Sequence, residues 1–364
     1  MLIAAQSGRM LAAAARRAGY APLVADLYGD DDARALALGT ARLPGSLGRP
    51  PGRAALLRPL DALSAGMEPV GLAYGSLFES RPALLDAVAE RYRLLGNRGE
   101  TVHRLKDPRA FAALCRDCGV PHPEVAQAPS KGEWLEKRAG ATGGGHVRPA
   151  RPGRVRPPRY VQRRVEGEPV SALFLADGRG GTLVLGFSTQ WAAPTLGEPF
   201  RWGGAVRPAR LDPALTHAMA VAVERIAAAA GLVGLNGADF LAREDGFDLI
   251  EINPRPGASL DAFPDADGWL FRAHVAACRD GALPARTPEF PGASALAVAY
   301  ARRAMVLPPG FAWPDWAADR QRSGCPVPED GPLCIVLAAA DDAEAARALA
   351  LARVDAILTM AEAA

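Results

Sequence analysis

Short apolar runs alternate with Ala-rich amphipathic stretches over the first hundred residues. LIAAQS, PLVADLY and VGLAYGS read as strands, and MLAAAARRAG and PALLDAVAERYRLLG as helices, the first stopping at Gly19. That alternation predicts an open α/β unit with a mostly parallel sheet. RLPGSLGRPPG reads as an irregular connection. A helix is expected from about Pro108 to Cys118, ended by Gly119. EWLEKR, RYVQRRVEG and VSALFLAD follow as strands, and TLVLGFSTQWA as a further antiparallel one. PALTHAMAVAVERIAAAAG predicts a long helix. The tail holds one more strand, PLCIVLAAA, and a helix from Asp341 onward.

Composition narrows the class. A chain of 364 residues suggests two or three domains, and 49% apolar with 23% charged residues is a globular balance. The 42 basic and 40 acidic side chains nearly cancel, which leaves no bulk field for nucleic acid or an anionic membrane. No apolar run reaches the roughly 20 residues needed to cross a bilayer. The start reads as a buried strand and a helix rather than a signal peptide, because Arg9, Arg16 and Arg17 follow or interrupt its apolar part. Five cysteines, an odd number, favour reduced thiols and a cytoplasmic location. Cys115 and Cys118 are spaced CxxC within a helical pattern and have no second pair, which reads as two thiols on a helix. QSGRML lacks the GxGxxG of a dinucleotide site, so Asp26 at the end of the second strand is set aside as a ribose-binding acid.

The strongest chemical signal is GLNGADFLAREDGFDLIEINPRPGAS. Its two strands, ADFLARE and FDLIEIN, flank a tight turn at Asp245–Gly246. Asp239 and Glu251 then lie near matching positions, and Glu251 and Asn253 share one face. Hard oxygen donors converging from apolar strands suit Mg²⁺, with Mn²⁺ as the alternative. Arg255 follows in NPRPG, where a guanidinium could hold a phosphoryl group or a carboxylate. A second signal is Lys137 at a strand end, followed by Gly140, Thr142, Gly143, Gly144 and Gly145, whose backbone could wrap phosphate oxygens. Lysine precedes the glycines, so this is no Walker A loop. A third is YVQRRVEGEPVS, whose strand end at Gln162–Val165 could read an adenine edge, with Glu166 or Glu168 on ribose. RPARPGRVRPPR reads as a solvated turn rather than a phosphate-binding arm. None of the five histidines lies in a nucleophilic-triad context.

In this order the three signals resemble the ATP-grasp superfamily. The likeness implies an ATP-grasp fold of α/β class with an α+β lid. Its parts would be an N-terminal open α/β domain over residues 1–100, a linker helix and lid over 101–184, a catalytic subdomain over 185–293, and a C-terminal extension over 294–364. It implies that Lys137 holds ATP phosphates under the 140–145 loop, with Gly143, Gly144 and Gly145 closing over them. Gln162 and Val165 would contact adenine, Glu168 ribose, and Asp239, Glu251 and Asn253 Mg²⁺. Arg255 would contact the phosphoryl group or acyl phosphate. Pro108 stands where many members carry another phosphate-binding Lys, leaving Lys106 or Arg109 as the substitutes, and Arg138 replaces a usual Pro. SGRMLAAAARRAGY, LLGN and PLCIVLAA most resemble the carboligase branch. Some relatives there serve one-carbon cofactor (methanofuran or tetrahydromethanopterin) metabolism, including a ligase joining glutamate to tyramine.

The reaction this implies activates a carboxylate as an acyl phosphate and joins it to an amine, both small molecules. Family analogy adds a homo-oligomer. The alternatives are an ATP-binding regulatory protein with weakened turnover and a carboxylase using bicarbonate. In GSLFESR, Ser76 and Glu79 mark a substrate-facing edge, although Glu79 or Arg81 could equally be helix-start charges. Trp202 and Gly203–Gly204 either approach the pocket or pack in the core.

Overall fold

A computed structural model describes residues 1–46 and 48–364. The first ninety-odd residues build a five-stranded parallel sheet in the order Gly39–Arg42, Leu23–Asp26, Leu2–Ala5, Leu72–Tyr74, Leu94–Leu95. Three of these strands are buried along their whole length, as strands covered by helices on both faces must be. Helix Arg9–Arg17 turns Leu11, Ala12, Ala14 and Ala15 inward and ends before Gly19, whose φ of +86° favours glycine. The strand order reverses between Leu2–Ala5 and Leu72–Tyr74. In open α/β sheets, that switch point at the carboxyl ends of the strands is where ligands bind.

Two expectations for this region are corrected. The helix predicted over PALLDAVAERYRLLG stops at Ala89, and Leu94–Leu95 becomes the fifth strand. Tertiary pairing overrides local propensity there: Leu95 is fully buried opposite Ala73, and the intervening Tyr92 donates its hydroxyl to Asp61 at 2.7 Å. The linker holds two helices, Gly99–Lys106 and Pro108–Asp117, rather than one. Asp107 caps the second by accepting from the backbone of Arg109 (3.0 Å) and Ala110 (2.8 Å), so the chain breaks immediately after Lys106.

A four-stranded antiparallel sheet follows, ordered Val125–Ala126, Arg159–Arg163, Trp134–Arg138, Arg148–Pro149. The remaining long strands form an eight-stranded antiparallel sheet. Its order is Gly246–Asn253, Val233–Arg243, Glu168–Asp177, Thr182–Ala192, Trp202–Arg207, Ala293–Tyr300, Pro332–Ala340, Ala317–Ala318. Glu168–Asp177 lies within this sheet, although its sequence position groups it with the lid.

Helices Pro108–Asp117 and Pro213–Ala230 cover one face of the long sheet, where Phe111, Met219 and Ile226 meet Phe174 and Phe240. On the other face Leu173, Leu175 and Leu235 share a core with Phe271 of helix Trp269–Asp280 and with Ile3 and Leu11 of the front unit. Helix Ala343–Ala363 packs Ala346, Ala350 and Ile357 on the outer strands. Cys115 and Cys118 carry free thiols at the end of helix Pro108–Asp117, and no disulfide links the five cysteines. Among the described residues no helix is long and apolar enough to cross a membrane.

Candidate functional site

The hairpin places Asp239 directly opposite Glu251, and Ser171 lies opposite Asp239 on its other flank. A bulge then shifts the register, so Phe240 pairs with Leu249 and Ile250 is the extra residue. Leu249 and Ile252 are fully buried beneath the helices, which leaves Glu251 and Asn253 on the opposite face, toward the cleft. Asn253 donates to one oxygen of Asp239 at 2.7 Å, and Gln190 donates to the other at 3.0 Å. Gln190 is itself held by the Trp202 indole N–H at 2.7 Å. The sequence offered no pointer to Gln190, which is one of several polar residues in its strand.

Lys106 projects from the last position of its helix and donates to Glu251 and, at 3.1 Å, to Asn253 Oδ1. Of the two linker substitutes, Lys106 therefore reaches the carboxylates, whereas Arg109 is exposed. Burial pushes the Asp239 carboxyl up, and Glu251 adds to that. Burial acts the same way on Glu251, but Lys106, Lys137 and His146 more than offset it and hold the group below the usual carboxylate range. Two carboxylates crowd together here beside an amide oxygen, on strands fixed by pairing. A hard divalent cation would relieve their mutual repulsion, so the donor set fits Mg²⁺. No group of three His, Cys, Asp or Glu side chains poised to hold a metal occurs among the described residues, because the third donor here is an amide.

Lys137 and Gln162 share one face of the lid sheet, where Lys137 pairs with Tyr160 and Gln162 with Leu135. The lysine donates to Gln162 Oε1 at 2.5 Å. The amide nitrogen of Gln162 lies 3.4 Å from His122 Nε2, and His122 Nδ1 lies 2.6 Å from the Leu249 carbonyl. Burial lowers Lys137, and Glu251 and Asp239 pull it back up. Gln162 is thus buried and holds Lys137 rather than presenting a free amide. Val165 lies on the connection between the two sheets, and Glu168 is exposed at the start of its strand.

Arg255 is buried and pairs through Nε with Glu79 Oε1. Glu79 lines a cavity beside the glycine loop and does not act as a helix-start charge. It is the counter-ion of Arg255, and its second oxygen accepts from Leu77 N–H at 3.0 Å. Burial raises Glu79, but Arg255 and Lys106 outweigh it and keep the group ionised. The segment before Arg255 is bracketed by Asn97, which donates to Asn236 Oδ1 (2.8 Å) and the Pro254 carbonyl (3.0 Å). Arg81 lies away from this cluster, exposed and bonded to the Pro51 carbonyl.

The glycine loop lies against the long sheet. Gly140 (φ +69°) and Gly144 (φ +76°) sit where a Cβ would run into the carbonyls of Glu79 and Phe200, and Trp202 N–H donates to the Gly143 carbonyl at 2.9 Å. Beside it, His146 has a buried Nδ1 with no hydrogen-bond partner, and burial pushes the ring down to about 4. Loop, Arg255 and Trp202 form one end of a cavity of about 610 Å³ that runs to the switch point of the front sheet, where Gln6, Ser7 and Ser76 line it. Trp202 therefore approaches the pocket, while Gly203 and Gly204 pack against Trp191.

Residues 107–259 match the family model of the ATP-grasp domain. No curated protein matches the sequence. Among solved structures, the biotin carboxylase domain of 2-oxoglutarate carboxylase from Hydrogenobacter thermophilus aligns with 95% of this chain and 87% of its own, at 14% identity and a TM-score of 0.71. L-amino acid ligase from Bacillus licheniformis aligns over 97% and 96%, at 15% identity and a TM-score of 0.69. N5-carboxyaminoimidazole ribonucleotide synthetase from Thermotoga maritima aligns over 97% and 96%, at 15% identity and a TM-score of 0.67. At these identities the likeness is one of fold. With Asp239, Glu251 and Asn253 meeting Lys137 in one cleft and the family match spanning all four, residues 107–259 of the chain carry an ATP-grasp domain.

Proposed function

We propose that this chain is an ATP- and Mg²⁺-dependent ligase that activates a carboxylate as an acyl phosphate and joins it to an amine. The observation that carries this reading is the meeting of Lys106 and Lys137 with Asp239, Glu251 and Asn253 in one cleft, next to a separate cavity that could admit a second substrate. Asp239, Glu251 and Asn253 would hold the metal. When bound, Mg²⁺ (with Mn²⁺ as the alternative) would neutralise phosphate charge. Lys137 and Lys106 would turn from Gln162 and Glu251 to phosphate oxygens, and Gly143, Gly144 and Gly145 would cover them with backbone N–H groups. Val165, on the connection between sheets, and Glu168, at the start of its strand, would face adenine and ribose.

A carboxylate oxygen attacks the γ-phosphorus and ADP leaves. The amine nitrogen then attacks the acyl carbon, phosphate leaves, and the nitrogen loses a proton. Arg255, held by Glu79, would steady the transferring group, and the pinned glycine loop would limit water that hydrolyses the acyl phosphate.

ADP release that needs both a carboxylic acid and an amine, and that disappears in Glu251→Gln while the far-UV spectrum is kept, supports the assignment. Full activity in that variant rules it out. Bicarbonate-dependent ADP release without an amine would favour carboxylation instead, the alternative the sequence raised and one for which the Hydrogenobacter structure, which contains bicarbonate, is a precedent. The narrower place in one-carbon cofactor metabolism rests on the SGRMLAAAARRAGY and LLGN likenesses, and glutamate with tyramine is the first pair to assay. Free cysteines accord with a cytoplasmic site of action, and the dimeric Hydrogenobacter domain gives a precedent for a homo-oligomer.

A further inference from the structure

At the end of the cavity away from the glycine loop, the floor is made by carboxylates from separate segments: Asp30 after the second strand of the front sheet, Asp261 after the hairpin, and Asp319 in the C-terminal extension. Among the described residues, Arg9 is the one guanidinium within ion-pair distance of any of them. It bonds Asp261 at 2.5 Å and grips both oxygens of Asp319 at 3.1 and 3.2 Å. Asp30 has no cation within ion-pair distance among the described residues. Its side chain receives only the Ser7 hydroxyl at 3.3 Å, and that single proton points better at Asp319, 2.7 Å away. Yet Asp30 is 3% exposed.

The neighbouring acids have structural employment. Asp26 accepts from the backbone of Gly8 and Gly29, and Asp32 from the backbone of Ala33 and Arg320. Asp30 stands at the N-cap position of helix Asp31–Leu36, where an aspartate ordinarily caps, but its side chain makes no cap bond and lines the cavity. With three carboxylates against one guanidinium, this end of the cavity is short of positive charge, a costly arrangement without an external cation. Met10 and Ile335 add apolar surface to the same cavity, which Arg255 also lines.

We propose that Asp30, backed by Asp319, is an ammonium subsite, so that the substrate entering this cavity carries a positively charged nitrogen remote from its reacting end. This deepens the ligase reading and rests on it for the identity of the reacting end. Burial, with Asp319, Asp26 and Asp32 nearby, pushes the Asp30 carboxyl up to about 8, as befits an acid without a cation. An arriving ammonium supplies that charge.

The test uses matched pairs differing only in the remote nitrogen: aminohexanoate against hexanoate as acid, and diaminobutane against butylamine as amine. ADP release by the full chain should favour the ammonium-bearing member of at least one pair by about tenfold or more in kcat/KM, through KM. Asp30→Asn should erase that preference. Equal use of both members, or a preference that survives Asp30→Asn, overturns the proposal while leaving the ligase reading intact. Calorimetric titration with diaminobutane and aminohexanoate, without ATP, reads the floor separately. Binding by the native chain that is lost in Asp30→Asn upholds the subsite even if no pair is turned over, which would count against the ligase reading alone. Absence of binding to both probes together with absence of turnover overturns the subsite.

Discussion

Glu251 at the hairpin centre and Asp30 in the neighbouring cavity are both carboxylates, and the chain treats them differently. Glu251 is partly exposed and is met by Lys106, with Lys137 close by, while Glu79 behind it is locked to Arg255. Asp30 is almost wholly buried and shares one hydroxyl with Asp319. Charges matched within the chain can be carried through folding at little net cost, whereas an unmatched one must be met from outside or take up a proton. The hairpin centre is thus built to hold its charges ready, and the cavity floor to be completed by what it binds.

Removing a partner on the matched side should have the largest effect on stability. Glu79→Ala strands the Arg255 guanidinium and is expected to cost about 3–5 kcal/mol, read from the denaturant midpoint. A change below about 1 kcal/mol would mean that the pair is not held as described. Gln190→Leu leaves the carboxylates in place but removes the donor that orients Asp239. It should raise the Mg²⁺ concentration needed for half-maximal ADP release by about 10–100-fold, with little change at saturating metal. Gly144→Ala puts a Cβ at positive φ against the Phe200 carbonyl and should destabilise the closed loop by about 1–2 kcal/mol, seen as faster proteolysis within residues 140–146.

The mildest probe works on the unmatched side. Asp30 stands at about 8 in the folded chain, against the ordinary carboxylate range when unfolded. Between those values the folded chain holds a proton that the unfolded chain has released, so this group makes stability fall as pH rises. From about pH 5 to about pH 8, the native protein should lose more stability than Asp30→Asn does. Parallel pH profiles for the two proteins would show that Asp30 is already matched.

The hairpin was the most legible part of the chain, because strand alternation and an Asp-Gly turn are local properties and together set Asp239 against Glu251. The bulge at Ile250 was not legible, since it depends on how Leu249 seats beneath the helices. Lys106 could be named as a candidate, but only the Asp107 cap, which ends its helix there, explains why it reaches Glu251 and Arg109 does not. Gln190, Asn97 and the partnership of Glu79 with Arg255 join residues 49 to 176 positions apart and leave no periodic trace. The strand at Leu94–Leu95 was hidden for the same reason, because its helical spacing is overruled by an edge waiting to be paired.

The central claim is that Asp239, Glu251 and Asn253 seat the metal that accompanies ATP. Calorimetric titration of ATP into the native chain and into Glu251→Gln, each with and without Mg²⁺, tests it most directly. The account predicts that Mg²⁺ tightens ATP binding to the native chain and that this gain is lost in the variant, while weaker metal-free binding through Lys137 persists. An equal gain from Mg²⁺ in both proteins would place the metal elsewhere and contradict it.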